Sequence, residues 1–282
     1  MPHTLRSRAW TLIATGTLLA LATGGVVAGV TAASATAASH PAAKTYTTDH
    51  QLCYLIKSVG PGITIPPAGS VTLKNQFSRW QPTISPPTIH CNPVEKILPS
   101  GKVVPITNPK AHQLCFPITQ PKQPAPNVSV TNQFGAAVLK LTQPSLLCLP
   151  TWKSLKAPPN EPNPQPPGLS HYVCYPVVKV VSGGYKVPAP LMLKDEFGGP
   201  TTVQVNPVPS RLCLPTVKTV VTPTGTKTYP IVAGAMHLLC FPVSPTPFKP
   251  IFDQNQFTGP GVAITLEETD ALCLPSTKTI VG

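Results

Sequence analysis

Four histidines each stand three residues ahead of a cysteine: His50 before Cys53, His112 before Cys115, His171 before Cys174 and His237 before Cys240. Histidine and cysteine are the usual makings of a zinc site, so this spacing raises a metal centre first. Two arguments weigh against it. Zinc needs thiolate, which a disulfide-bonded cysteine cannot supply, and the chain carries marks of export to a disulfide-forming compartment. In an extended strand, positions three apart also face opposite sides, so one His–Cys pair does not chelate easily. The expected role is a histidine that caps the start of a strand through a backbone hydrogen bond. No metal or cofactor is expected.

Lys96, Lys153, Lys218 and Lys278 each lie five residues after a cysteine. They could shield an edge strand or lie over apolar surface with their charge in water. As a regular basic row they could instead bind an anionic cell-wall polymer. Phe77, Phe134, Phe197 and Phe257 end the segments "LKNQF", "VTNQF", "LKDEF" and "DQNQF". A repeated aromatic at a strand end reads as a core plug, with the preceding Asn-Gln or Asp195-Glu196 satisfying backbone groups of a turn. The functional alternative is a row of amides for a polar polymer such as a glycan.

Signatures of catalysis are missing. The adjacent acidic pairs, Asp195-Glu196 and Glu267-Glu268, sit on or beside strands, where neighbouring side chains diverge and form no acid/base dyad. No nucleophile elbow, phosphate loop, zinc-protease helix or calcium loop is present. A non-enzymatic protein is expected.

These residues recur because the chain repeats itself. The opening motif reads "HQLCY" (50–54), "HQLCF" (112–116), "HYVCY" (171–175) and "HLLCF" (237–241). The closing motif reads "HCNPVEK" (90–96), "LCLPTWK" (147–153), "LCLPTVK" (212–218) and "LCLPSTK" (272–278). Successive cysteine pairs enclose 37, 32, 38 and 32 residues, an alternation that suggests a duplication of a duplication. One bridge per repeat (Cys53–Cys91, Cys115–Cys148, Cys174–Cys213, Cys240–Cys273) is the expected pairing. Bridges across repeats, Cys53–Cys148 with Cys91–Cys115, remain compatible with the spacing.

The segments between repeats suggest how they are grouped. "ILPSGKVVPI" (97–106) and "TVVTPTGTKTYPI" (219–231) are β-rich runs around a Pro-x-Gly turn, a hairpin signature. Residues 157–170 are rich in proline and suit a stiff extended linker. The division expected is therefore a first domain over 50–156 (repeats 50–96 and 112–153) and a second over 171–282 (repeats 171–218 and 237–278). With 39 prolines and alternating apolar runs such as "VTLK" and "VAITL", the body reads as all-β. Each half would be a disulfide-braced β-sandwich or open barrel, its closing strand ending near its proline.

The N-terminus reads as a secretory signal over 1–38, followed by a linker over 39–49. Arg6 and Arg8 precede an apolar run from Ala9 to about Ala33, and Ala33-Ser34-Ala35 or Ala35-Thr36-Ala37 offers a cleavage frame. An uncleaved membrane anchor is the alternative. The net charge of +12, or +10 without the two leader arginines, gives a mildly basic surface with no lysine run for nucleic acid.

Taken together, the His-x-x-Cys-Tyr/Phe, Asn-Gln-Phe and Leu-Cys-Leu-Pro-x-x-Lys motifs resemble a family of secreted, actinobacterial-type proteins with tandem repeats, classed as a domain of unknown function. The resemblance spans residues 50–280 and implies a framework without an assigned activity. The first closing motif departs from it, with His90 and Asn92 in place of the two leucines. The expectation is an exported structural or interaction module of the cell surface, or alternatively a binder of a cell-wall glycan or anionic wall polymer.

Overall fold

The computed structural model describes residues 47–122, 125–246 and 250–281, and the export segment expected over 1–38 lies outside them. No helix occurs among the described residues; all regular structure is β. The first repeat gives β1 (Gln51–Val59), β2 (Val71–Lys74), β3 (Arg79–Trp80), β4 (Thr83–Ile84) and β5 (Ile89–Pro93), then the short hairpin β6 (Glu95–Ile97) and β7 (Val103–Val104). The second gives β8 (His112–Thr119), β9 (Asn127–Asn132), β10 (Gly135–Leu141) and β11 (Leu146–Ser154). The third gives β12 (His171–Tyr185), β13 (Leu191–Asp195), β14 (Gly198–Val203) and β15 (Arg211–Thr222), with β16 (Gly225–Tyr229) folded back on β15. The fourth gives β17 (His237–Pro242), β18 (Pro250–Gln254) and β19 (Val262–Val281).

The opening and closing strands form a closed antiparallel ring. Within repeats β1 pairs β5, β8 pairs β11, β12 pairs β15 and β17 pairs β19. Between repeats β5 pairs β8, β11 pairs β12, β15 pairs β17 and β19 returns to β1. The register is the same in every repeat: each cysteine faces its own partner across the ladder. At every junction it slips by two residues, so that Cys91 faces Gln113, Cys148 faces Tyr172, Cys213 faces Leu238 and Cys273 faces Gln51. A constant slip of one sign tilts the strands and closes the sheet into a barrel without edges.

All four bridges are the intra-repeat ones, with Cα–Cα separations of 4.0, 3.9, 3.9 and 3.9 Å. Such short separations belong to the non-hydrogen-bonded pairs of an antiparallel ladder, where side chains lie closest. This parity explains why the closing strands do not stop at their prolines. Pro150 faces Gln113 two residues beyond the Cys148–Cys115 pair, hence also at a non-hydrogen-bonded position towards β8. Its nitrogen points towards β12, whose pairing with β11 covers only Leu146–Cys148. No ladder hydrogen bond is lost there, and β11 continues to Ser154.

The cysteine face lines the inside of the ring. No cysteine is more than 4% exposed, yet the side chains packed with them come from the ring strands themselves and from Ala111 and Leu169. A buried face that nothing else covers is the concave one. Neighbouring bridges touch: Cys53 Sγ lies 3.7 Å from Cys273 Sγ, and Cys148 Sγ lies 3.8 Å from Cys174 Sγ. Sulfur thus fills the barrel, and the Leu, Tyr and Phe side chains that alternate with cysteine point outwards. That outer face is roofed by the middle segments in one continuous apolar cluster.

The middle segments cross between halves. β2 pairs β15 of the third repeat, β9 pairs β19 of the fourth, β13 pairs β6 after the first closing motif, and β18 pairs β11 of the second. Each repeat therefore roofs the repeat two places away. The expected division into two sandwiches or open barrels gives way to one compact unit over Lys44–Gly282. The physical reason is edge pairing: a two-repeat half would leave open edges at its first and last ring strands, and each half closes the other's. Residues 157–170 are a strap held against this body rather than a free linker. Gln254 takes both the amide and the carbonyl of Glu161, at 2.8 and 3.0 Å, and Trp152 Nε1 donates to Asn163 O at 2.6 Å.

Candidate functional site

Strand parity decides where the candidate side chains go. Leu52 and Tyr54 share the outer face of β1, with His50 just ahead of the strand in the same parity, and Leu147, Leu149, Thr151 and Lys153 share that of β11. Because Thr151 pairs with His112, the histidine and lysine of one repeat end up side by side under the roof. The lysines are not a solvent-facing row. Lys96 and Lys218 are 0% exposed, the Lys153 side chain is 0% exposed, and Lys278 is half-buried. Three of the four therefore do not present their side chains to the surface, as a basic row would require.

What covers the lysines is the tip of the next repeat's middle hairpin. Each tip is an Asx turn: the side-chain oxygen of Asn75, Asn132, Asp195 or Asn255 accepts from the backbone N–H of the phenylalanine two residues on, at 2.8–2.9 Å. The turn aims the phenylalanine inwards. Lys96 Nζ lies 5.3 Å from the Phe134 ring centre, Lys153 4.3 Å from Phe197, Lys218 4.7 Å from Phe257 and Lys278 4.7 Å from Phe77. The same rings meet, edge to face, the aromatic that follows the opening cysteine two repeats away. These pairs are Phe77–Tyr175, Phe134–Phe241, Phe197–Tyr54 and Phe257–Phe116, at 5.0–5.5 Å.

The second tip residue faces the histidine–lysine pair. Gln133 contacts His50, whose Nε2 lies 3.2 Å from Lys96 Nζ. Glu196 lies 2.9 Å from Lys153 Nζ and 3.5 Å from His112 Nε2. Lys218 Nζ donates to Gln256 Oε1, and Gln256 lies against His171. Gln76, in the remaining copy, is exposed. The histidines thus accompany the lysines, and His112 also has the backbone partner expected of a strand cap, at Pro109.

Burial governs the ionisation of these groups. It pushes Lys96 down to about 8 and, helped by the Lys96 charge, His50 down to about 3. It lowers His237 to about 4, with Lys278 adding to the effect. Lys218, His171 and His112 are held well below their ordinary values by the same cause. Lys153 is lowered by burial too, against the opposing pull of Glu196.

One copy departs from the pattern, and its departures meet in space. In three copies the tip asparagine donates to a hydroxyl three residues after a closing cysteine: Asn75 to Thr216 at 3.5 Å, Asn132 to Ser276 at 3.3 Å and Asn255 to Thr151 at 3.3 Å. The fourth position is Val94, which has no hydroxyl, and the tip facing it carries Asp195. Asp195 Oδ2 instead accepts from Asn92 Nδ2 at 2.9 Å and from the Tyr54 hydroxyl at 2.5 Å. Asn92 Oδ1 lies 2.7 Å from His90 Nε2 and 3.0 Å from His112 Nδ1, and His90 Nδ1 lies 2.7 Å from Asp253 Oδ2. The sequence marks His90, Asn92, Asp195 and Glu196 one by one; the structure joins His90, Asn92 and Asp195 in one network with Asp253, while Glu196 stays exposed beside it. The signal was available as four departures from an otherwise faithful repeat.

Comparison adds no precedent. No protein-family model, curated protein or solved structure matches the chain. The resemblance drawn from the repeat motifs rests on those motifs alone.

Among the described residues no group of three or more His, Cys, Asp or Glu is placed to hold a metal ion. A surface cavity of about 700 Å³ lies between the β15–β16 hairpin and the prolines at 66 and 67. Lys227 and Tyr229 line it, and Gln256 and Phe257 form part of its wall.

Proposed function

We propose that the chain is an exported, non-enzymatic structural or interaction module that works outside the cell or at its envelope. The observation that supports this reading is where the reactive side chains are used. Cysteines fill the barrel, and the histidines, lysines and carboxylates of the repeats hold the roofing hairpins down. Four bridges are consistent with an oxidising, extracellular setting. A fold that invests its polar chemistry in bracing itself suits a durable surface scaffold.

A second reading, binding of a wall glycan, is favoured by the cavity beside Tyr229 and Lys227, because aromatic faces and a cation at a cleft suit sugars bearing anionic groups. Retention on purified peptidoglycan and on teichoic-acid-like polymer, titrated with salt, tests it. Binding that weakens with salt and in Lys227→Glu supports the glycan reading. Absence of retention at low salt removes it and leaves the scaffold.

A further inference from the structure

The amine of Lys218 is buried among groups that could react with it. Its Nζ donates to Gln256 Oε1, with the Phe257 and Tyr229 ring centres 4.7 and 4.8 Å away. Lys218 and His171 are both 0% exposed, and the His171 ring lies 5.3 Å from that of Tyr229. Gln256 is held from its other side, where Nε2 donates to Gln165 Oε1 at 2.9 Å. Neither nitrogen of His171 is engaged in a hydrogen bond of good geometry among the described residues, although Gln256 lies against the ring.

We propose that Lys218 and Gln256 become joined by a self-generated amide cross-link, with His171 carrying the proton. The lone pair of Nζ attacks Cδ of the carboxamide and forms the new C–N bond. His171 takes the proton that Nζ loses and delivers it to Nε2. The Cδ–Nε2 bond then breaks and ammonia leaves. Nothing is oxidised or reduced, and no co-reactant is required. Three conditions for this reaction meet at the site. Burial disfavours the charged form of the amine and so favours the neutral, nucleophilic one. The Lys218–Gln256 contact replaces a bimolecular encounter with a fixed approach. A neutral imidazole stands beside the amide to move the proton.

The related sites show why this one is singled out. Lys153 faces the carboxylate Glu196 at 2.9 Å, a paired charge that resists attack by its own amine. Around Lys96, the Gln133 amide contacts His50 instead of the lysine. Gln76, next to the Phe77 that covers Lys278, is exposed. Among the described residues it is at Lys218 that a repeat lysine touches a carboxamide directly, with an imidazole alongside.

Mass spectrometry of the full-length secreted protein decides the matter without any variant. The expected intact mass falls short of the sequence with four disulfides by one ammonia. Tryptic digestion should give a branched peptide joining Lys218 to Gln256, with no cleavage after Lys218. Lys218→Met and Gln256→Ala should each restore the full mass, and His171→Asn should leave a fraction unlinked that grows if sampled soon after folding. An unshifted wild-type mass with cleavage after Lys218 overturns the proposal, as does a link rate unchanged in folded His171→Asn for the role of the histidine.

Discussion

At the scale of single residues, the repeat consensus is a poor guide where the structure has adapted to a departure from it. Asn92 replaces a leucine, so restoring leucine looks like an improvement. Yet Asn92, itself fully buried, supplies a donor to the half-buried carboxylate of Asp195 and an acceptor to His90 and His112. Asn92→Leu should therefore destabilise the fold by about 1–3 kcal/mol, the cost of stranding buried polar groups. Adding Val94→Thr and Asp195→Asn, which recreates the arrangement of the other three tips, should recover part of that loss in chemical denaturation. The histidines make a second prediction. His50 and His237 have folded-state values of about 3 and 4, well under their ordinary 6.5. Between those limits the unfolded chain binds more protons than the folded one, so stability falls as pH drops from about 6.5 towards 4. Above that window the histidines are neutral in both states and cost nothing. Thermal midpoints measured from pH 7 to 4 should decline, and His50→Gln should flatten the decline by a contribution on the order of 1–2 kcal/mol. A wild-type profile flat across that range would contradict the burial argument.

At the scale of elements, each bridge staples an opening strand to its own closing strand inside the barrel. Removing one with Cys115→Ala and Cys148→Ala frees a loop of 33 positions and should cost about 3–4 kcal/mol by loop-closure entropy. Thiol labelling should find no reactive cysteine in the native wild type. Much of this level was legible beforehand: the four repeats, the hairpins after the first and third closing motifs, the one-bridge-per-repeat pairing and the Asx turns all follow from local spacing. Strand parity was legible too, but not what lay above each face. Lys153 and its equivalents read as solvent-facing because a single strand does not reveal that another repeat's Phe197 will close over it. Pro150 read as a stop because the hydrogen-bonding parity of its position depends on which neighbours flank it. Both errors come from pairing between residues far apart in sequence, which local patterns do not encode.

At the scale of the whole molecule, the same limit hid the architecture. The proline-rich run at 157–170 and the alternating repeat lengths suggest two halves, and an internal duplication commonly does give two domains. Here the ring needs β11 against β12 and β19 against β1 to close, and each middle segment roofs the half it does not belong to. A half made alone would carry two open ring edges and outer apolar faces stripped of their cover, while its own hairpins would have nothing to rest on. The two-domain and one-barrel descriptions therefore differ in cooperativity. Calorimetry of the oxidised protein should show one transition whose calorimetric and van't Hoff enthalpies agree, where independent halves would show a ratio near two. Produced separately, 50–156 and 157–282 should each lack native near-ultraviolet dichroism and aggregate. Mixed under oxidising refolding they should recover a 1:1 complex with the native spectrum. A folded, monomeric 50–156 with two correct bridges would show that the halves are autonomous after all and that the ring forms by docking of finished domains.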